Sequence, residues 1–378
     1  MNRVLTVPNP DLTVLEDNKS RWTHADHRRW GWHNLHRIAR YVTSFRAAHV
    51  MKLEKRMNLS IARLESVRLL TSLPWFSGML VLQGRSILFE QYAADFGPDR
   101  PHSIQSITKT IINLAVGQLV EHGALDLSKT VGHYIPEIGS GYAGATVQEV
   151  LNMDVVNDYS EDFTNTTCTY YRHEEAMGWR LPQDYAAEAT QRGFVSKITS
   201  ADTRNRTGQI QYKDANSDVM GWIVERVGGR PLRAVLADIA DAAGIEGALH
   251  ITTDREGVPA LDGGACLTTR DLARYMSIFA RRGVGVDGQR VGSEKFIEQT
   301  LSSGVTMPHP NEHVRYSNHF MVSGRALMHG GWAGQYAVAD LDTRKVAVFL
   351  SVTEDEHAAD RSYLPPIVDM LRSITSYV

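Results

Sequence analysis

Ser106 and Lys109 stand three residues apart in "SIQSITKT" (103–110), and S-x-x-K occurs nowhere else in the chain. On a helix, positions i and i+3 share a face, so the lysine amine can reach the serine hydroxyl. A serine hydroxyl is a weak nucleophile until a base takes its proton. Lysine can be that base if burial or positive neighbours lower its pKa. The free N–H groups and dipole of a helix start would also favour an oxyanion. Serine is equally a common helix cap, so the four residues alone describe a capped helix as well as a nucleophile. The run that follows separates the two. Ile107, Ile111, Ile112, Leu114, Val116, Leu119 and Val120 leave no polar face, so the helix, stopped by Gly123, should be buried. A lysine in the first turn of a buried helix opposes the dipole and is costly to desolvate. Packing alone gives no reason for Lys109.

Two other stretches carry reactive types. Tyr212 lies in "GQIQYKDANSDVMGW" (208–222), just ahead of a helix in a turn rich in Asn and Asp. A phenol there can shuttle protons beside an ammonium, or simply cap a loop. His329-Gly330-Gly331, in "MHGGWAGQ" (328–335), reads as a strand whose glycines admit a close ligand or backbone, or mark a bulge. His24/His27 and His33/His36 are each three apart, but no carboxylate or Cys completes a ligand set, so a packed aromatic arm is the expectation and no metal is assigned.

The elements that must hold these residues follow from periodicity. The chain has 378 residues, 43% of them hydrophobic, enough for two domains or one large domain with an insertion. A net charge of −3 without a basic stripe argues against nucleic acid. Cys168 and Cys266 are too few for a disulfide framework and lack zinc spacing, which fits a reducing compartment. "MNRVLTVPNPDL" carries no signal-peptide pattern and no window reaches a membrane span, so the expectation is a soluble cytoplasmic protein. A helix is expected over 54–73, a hairpin over 78–97 turning at Gln83-Gly84-Arg85, and a capping box at Thr146/Glu149. Residues 154–209 read as long ordered loops, often functional in a compact domain. Helices follow near 217–229, 231–243 and 269–281, then strands, then a helix near 364–376. Strands at both ends form one antiparallel sheet only if the chain ends meet, with the helical middle inserted on one side.

In this order Ser-x-x-Lys, a tyrosine element and a His-Gly-Gly strand resemble the serine β-lactamase and penicillin-binding protein superfamily. The spacing is similar to its class C β-lactamase-like branch, which also contains esterases and amidases. "RRWGWHNLHRIARYVTS", "QEVLNMDVVNDYSEDF", "GWR" at 178–180, "NSDVMGWIVERVGG" and "GGACLTTRDLAR" look most like the nylon-oligomer amidases of that branch. The resemblance implies an α/β fold with a central antiparallel sheet flanked by helices and an inserted all-helical part. Its bounds would be 1–105 and 250–378 for the α/β part and 106–249 for the helical one, with the site between them. It makes Ser106 the acylated serine, Lys109 its base and Tyr212 the proton relay to the leaving group. Tyr159 would close over the substrate amide, and His329, Gly330 and Gly331 would line it. The backbone N–H groups of Ser106 and Trp332 would form the oxyanion hole. No cofactor is implied.

Two departures stand out. Tyr212-Lys213-Asp214 replaces the Tyr-x-Asn or Tyr-x-Ser element. A carboxylate at Asp214 would raise the pKa of Lys109 if close, bind a cationic substrate group, or pair with Lys213. His329 removes the lysine that holds a substrate carboxylate. Both argue against a penicillin target. The expected activity is hydrolysis of a linear amide of the aminohexanoate-dimer type, with a short-chain ester as alternative and a silent binding protein of the same fold as the outside reading. The partner is a small molecule, with no nucleic acid or membrane, and the Trp-rich arm offers a homodimer contact.

Overall fold

The structure, a computed structural model, describes residues 21–162, 165, 167–182, 188–308, 311–358, 360 and 362–377. The signal-peptide reading of the first residues lies outside them. Among the described residues thirteen strands form two sheets. The smaller joins β1 (Val42–Phe45), β6 (Leu249–Thr252), β7 (Ala265–Leu267) and β5 (His102–Ser103) in that spatial order. The larger has nine strands in the order β2-β4-β3-β13-β12-β11-β10-β9-β8. Its members are β2 (Glu54–Lys55), β3 (Phe76–Gln83), β4 (Ser86–Tyr92), β8 (Val305–Thr306), β9 (Arg315–Ser317), β10 (Phe320–Ser323), β11 (Ala326–Gly331), β12 (Gln335–Asp340) and β13 (Lys345–Ser351). Every pairing is antiparallel except β2 with β4.

The chain ends do meet. β3 pairs with β13, setting Leu80 opposite Val348. Both strands are apolar at successive positions because both faces of the sheet are covered. Leu80, Leu82, Val346 and Val348 point into the larger core, beside the helix Thr269–Ala280. Met79, Val81, Ala347 and Phe349 point into a second core under the helix Leu364–Tyr377. Between β5 and β6 the described elements are helices, among them Ile111–Glu121, Val147–Leu151 behind the Thr146/Glu149 capping box, Ala215–Gly228 and Leu232–Ala243.

Three expectations change. Over 54–73 the chain forms β2 and then two short helices, Leu59–Arg63 and Glu65–Leu70. Leu64 breaks them with an extended ψ of 130°, so that Ile61, Val67 and Leu70 all reach the second core. The helix after Ser106 begins as a 3-10 turn, Gln105–Thr110, before Ile111–Glu121 continues it. The loop region 154–209 contains helices at Thr169–Ala176 and Gln191–Val195.

The helix Arg28–Ile38 anchors the Trp-rich arm to the body. Trp22 and Trp32 are buried, and of the three arm tryptophans only Trp30 stays on the surface. His33 bonds Ser77 and packs on Phe96, while His36 packs on His250, and no cluster with metal-ligand geometry occurs among the described residues. Both cysteines are free and buried. No helix among the described residues is long and apolar enough to cross a membrane.

Candidate active site

Ser106 sits three residues beyond β5, whose register against β7 (His102 opposite Leu267, Ser103 opposite Cys266) fixes where the chain turns. Gln105 takes a left-handed φ of +46°, which swings Ser106 out of the strand line. Such a conformation in a non-glycine residue costs energy and needs support. Thr108 supplies it: its Oγ1 donates to the Gln105 carbonyl at 2.7 Å and accepts from the Ala265 N–H at 3.2 Å.

Lys109 is fully buried. It donates to Ser106 Oγ at 2.9 Å and to the Asp262 carbonyl, and it lies 2.6 Å from Asp214 Oδ1. Two hydrogen bonds and an ion pair at this distance favour the charged form. Burial pulls the Lys109 pKa down, but Asp214 and Asp262 outweigh it and leave it above the ordinary lysine value. The sequence leaves three fates open for Asp214, and the contact distinguishes between two of them: it pairs with Lys109, while Lys213 turns away and donates to the Tyr159 carbonyl at 2.8 Å. Asp214 precedes the helix Ala215–Gly228, where a carboxylate also suits the dipole.

Tyr212 comes from the other side. Its ring centroid is 5.2 Å from Lys109 Nζ, and Ser106 is among the groups that act on its hydroxyl. Burial and then the Asp214 charge push the phenol well above its ordinary value, so it is neutral. Ser106 Oγ therefore has a lysine as a hydrogen-bond partner and shares the cavity wall with Tyr212.

The third wall is the end of β11. Gly330 and Gly331 run against the nucleophile turn and against Tyr336. A Cβ on Gly331 would lie 2.8 Å from the Gln105 Cβ, the Ile104 carbonyl and Gln335 Oε1, and one on Gly330 would lie 2.5 Å from the Tyr336 ring. Close backbone approach, rather than a bulge, explains both glycines. His329 Nδ1 donates to the Gly330 carbonyl at 2.8 Å, so Nε2 is left to accept from the Tyr316 hydroxyl at 3.1 Å. Burial and then Lys109 push His329 down to about 3, so it is a neutral imidazole. Where the superfamily pattern implies a fixed cation, this chain holds none.

These residues line one cavity of ≈ 620 Å³. Ser106, Tyr212, Asp214, His329, Gly330, Gly331 and Trp332 all border it. Tyr159, expected to close over the substrate, is not among the residues that border it. It is 3% exposed, and its hydroxyl bonds His173 Nδ1 at 2.9 Å, while His173 Nε2 lies 2.5 Å from Asp218. The cavity tyrosine of that region is Tyr170, beside Glu161. The polar loops of 154–209 signal a site without saying which tyrosine turns inward.

Glu161, Asp262 and Tyr316 escape the sequence reading. Glu161 accepts the Asp214 N–H, and burial followed by the Asp214 charge raises it to about 8. Asp262 is buried with neither carboxyl oxygen hydrogen-bonded, and burial, then Asp218 and Asp214, raises it to about 8. Their only signal is the company of "NDYSED" and "LDGG", since no local spacing ties them to Ser106.

Comparison with known proteins identifies the family of the chain. The sequence description of the Beta-lactamase family matches residues 75–367. The 6-aminohexanoate-dimer hydrolase of Paenarthrobacter ureafaciens is 31% identical over 299 residues, covering 78% of this chain and 75% of that protein. A Bacillus anthracis protein solved under the provisional name 6-aminohexanoate-dimer hydrolase shares the fold with a TM-score of 0.81, at 16% identity, over 94% of this chain and 96% of that one. A D-stereospecific amidohydrolase from Streptomyces shares it with a TM-score of 0.57, at 16% identity, over 81% and 96% of the chains. With a family match across most of its length and amidase-like relatives, the chain belongs to the beta-lactamase family and is a hydrolase of that fold related to 6-aminohexanoate-dimer hydrolase.

Proposed function

We propose that the chain hydrolyses a small linear amide through an acyl-enzyme on Ser106. The observation that carries this reading is the hydrogen bond from the buried Lys109 Nζ to a serine hydroxyl at the wall of a cavity that Tyr212 also borders. Ser106 Oγ attacks the carbonyl, and its proton passes to the neutral form of Lys109, a form that the Asp214 charge holds scarce. The oxyanion rests against the N–H groups of Ser106 and Trp332. The neutral Tyr212 phenol gives its proton to the departing nitrogen and is refilled from the lysine. Water then repeats the sequence on the acyl-enzyme, so one set of groups serves twice. The neutral His329 offers no charge to a substrate carboxylate, which speaks against a penicillin-type target.

The Asp214 contact favours a second reading. A lysine kept charged is a reluctant base, and an ester asks less of it because its leaving group needs no protonation. A short-chain ester is therefore the alternative substrate. Fluorophosphonate labelling of the wild type against Ser106→Ala tests both readings together. Labelling that persists in Ser106→Ala refutes Ser106 as the nucleophile, and labelling absent from both proteins leaves a silent binding protein. Turnover of the aminohexanoate dimer against a short-chain nitrophenyl ester then separates amide from ester, and activity on the ester alone would displace the first reading.

A further inference from the structure

We infer that Arg28 and Trp32, on the helix Arg28–Ile38 outside the family-matched residues, are positioning residues for the oxyanion hole. The inference rests on the assignment of the Trp332 N–H to that hole. Trp332 begins the turn between β11 and β12, where Ala333 and Gly334 have φ of +72° and +109°. Such a turn keeps its shape only if its carbonyls are held. The Gly331 carbonyl accepts from Gly334 N–H at 3.2 Å and the Ala333 carbonyl from Thr353 N–H at 2.9 Å. The Gly334 carbonyl accepts from Ser351 Oγ at 2.6 Å. These three donors come from the turn or from β13 and the residues just after it. The Trp332 carbonyl instead accepts from Trp32 Nε1 at 3.2 Å, a donor from the N-terminal arm.

The same helix fixes the Trp332 side chain and the loop beyond β13. The Arg28 guanidinium lies 4.7 Å from the Trp332 ring centroid, and the Trp32 ring lies 5.4 Å from it. Arg28 is buried and donates to three main-chain carbonyls of one loop: Thr353 at 2.7 Å, Asp355 at 2.9 Å and Glu356 at 3.1 Å. Trp332 Nε1 donates to the His357 carbonyl of that loop at 3.2 Å. Ala358, next in the chain, borders the cavity with Trp332. A planar fork with fixed N–H directions suits this better than a lysine would. One helix thus holds both the Trp332 turn and the loop that leads to Ala358, two segments that border the cavity. The Trp332 N–H is held from the Gly331 side by the turn and from the carbonyl side by Trp32.

The test uses the full chain. Trp32→Phe keeps a ring in the aromatic cluster and removes only the N–H. Arg28→Lys keeps the charge and removes the fork. Rates are expressed per Ser106 titrated by fluorophosphonate, so unfolded molecules do not count. A group that orients an oxyanion donor acts on the transition state, so kcat should fall about fivefold in either variant with KM within twofold, a hydrogen bond's worth of rate. The second-order rate of fluorophosphonate inactivation should fall by a similar factor, because the phosphonyl oxygen occupies the same hole. Unchanged kcat and inactivation rate per titrated site in both variants, whatever happens to the melting temperature, would reduce the helix to a structural brace and overturn the inference. Loss of Ser106-dependent labelling in the wild type would instead strike the acyl-enzyme reading itself.

Discussion

Replacing Asp214 by Asn tests the electrostatics of the site most directly. At 2.6 Å, and with an effective dielectric constant of about 20, the attraction between the Lys109 ammonium and the Asp214 carboxylate is about 6 kcal/mol. Burial offsets part of this, and an opposite charge this close typically moves a pKa by about 1–3 units. Asp214→Asn should therefore lower the Lys109 pKa by about that much. Each unit multiplies the neutral amine at pH 7 about tenfold while weakening its basicity, so the net gain is roughly threefold per unit. The second-order rate of fluorophosphonate inactivation is the assay, since that reaction asks little of leaving-group protonation. Measured from pH 6 to 10, its rising limb should move to lower pH, with a gain of about 3- to 30-fold at pH 7. Glu161 titrates near 8 beside Asp214 and could produce a limb of its own, so Glu161→Gln is the control, and the shift should persist in that background. A limb that stays in place, or a loss of more than about 100-fold at every pH, refutes the reasoning. The first result would mean that Lys109 is not the base, and the second that Asp214 must itself accept the proton.

Other outcomes follow from the same geometry. Gly331→Ala would press a methyl group onto Gln105, Ile104 and Gln335, so kcat per titrated site should fall at least about tenfold, with about 1–3 kcal/mol lost in urea unfolding; near-normal kcat would mean that the nucleophile turn yields freely. His173 holds its proton to about 9 in the folded chain because Asp218 outweighs its burial. Its contribution to stability is present below its unfolded pKa of about 6.5 and is lost as pH rises toward 9. Glu161 and Asp262, raised to about 8, also bind protons more tightly when folded, so all three make stability decline from weakly acid to alkaline pH. Asp218→Asn should flatten that decline between pH 6.5 and 9 and cost about 3–5 kcal/mol near pH 7, read from denaturant midpoints. A slope unchanged by the substitution would show that the His173–Asp218 pair does not titrate as described.

What could be read from the chain was local. The Ser106/Lys109 spacing, the Thr146/Glu149 box and the hairpin at Gly84 each depend on residues a few positions apart, and each is found in the structure. Lys109 was conspicuous because a buried first-turn cation needs a partner, and Asp214 was conspicuous as a carboxylate where an amide or hydroxyl was expected. Their contact spans a hundred residues, so only the fold could decide it. Tyr159 and Tyr170 show the opposite case. Both are tyrosines in one polar segment, and which faces the cavity depends on His173 and Asp218 capturing the first. The break at Leu64 was invisible because its periodicity suits one helix as well as two. Glu161 and Asp262 carry no local signature, since their importance comes from burial beside other charges.

The pairing of β3 with β13 has a consequence for how the chain is made. Leu80 and Val348 are neighbours in the centre of the large sheet, yet almost the whole helical middle is translated between them. The β3–β4 hairpin therefore leaves the ribosome long before its partner strand exists, with Leu80, Leu82, Met79 and Val81 uncovered on both faces. Pairing of such high sequence separation is slow, and an apolar hairpin waiting for it is prone to associate with other chains. The helices from Ile111 to Ala243 can meanwhile pack among themselves, and Ser106 gains its third wall only when β11 arrives. Catalytic competence is thus one of the last properties acquired during synthesis, and a chain halted before β13 would be both inactive and sticky.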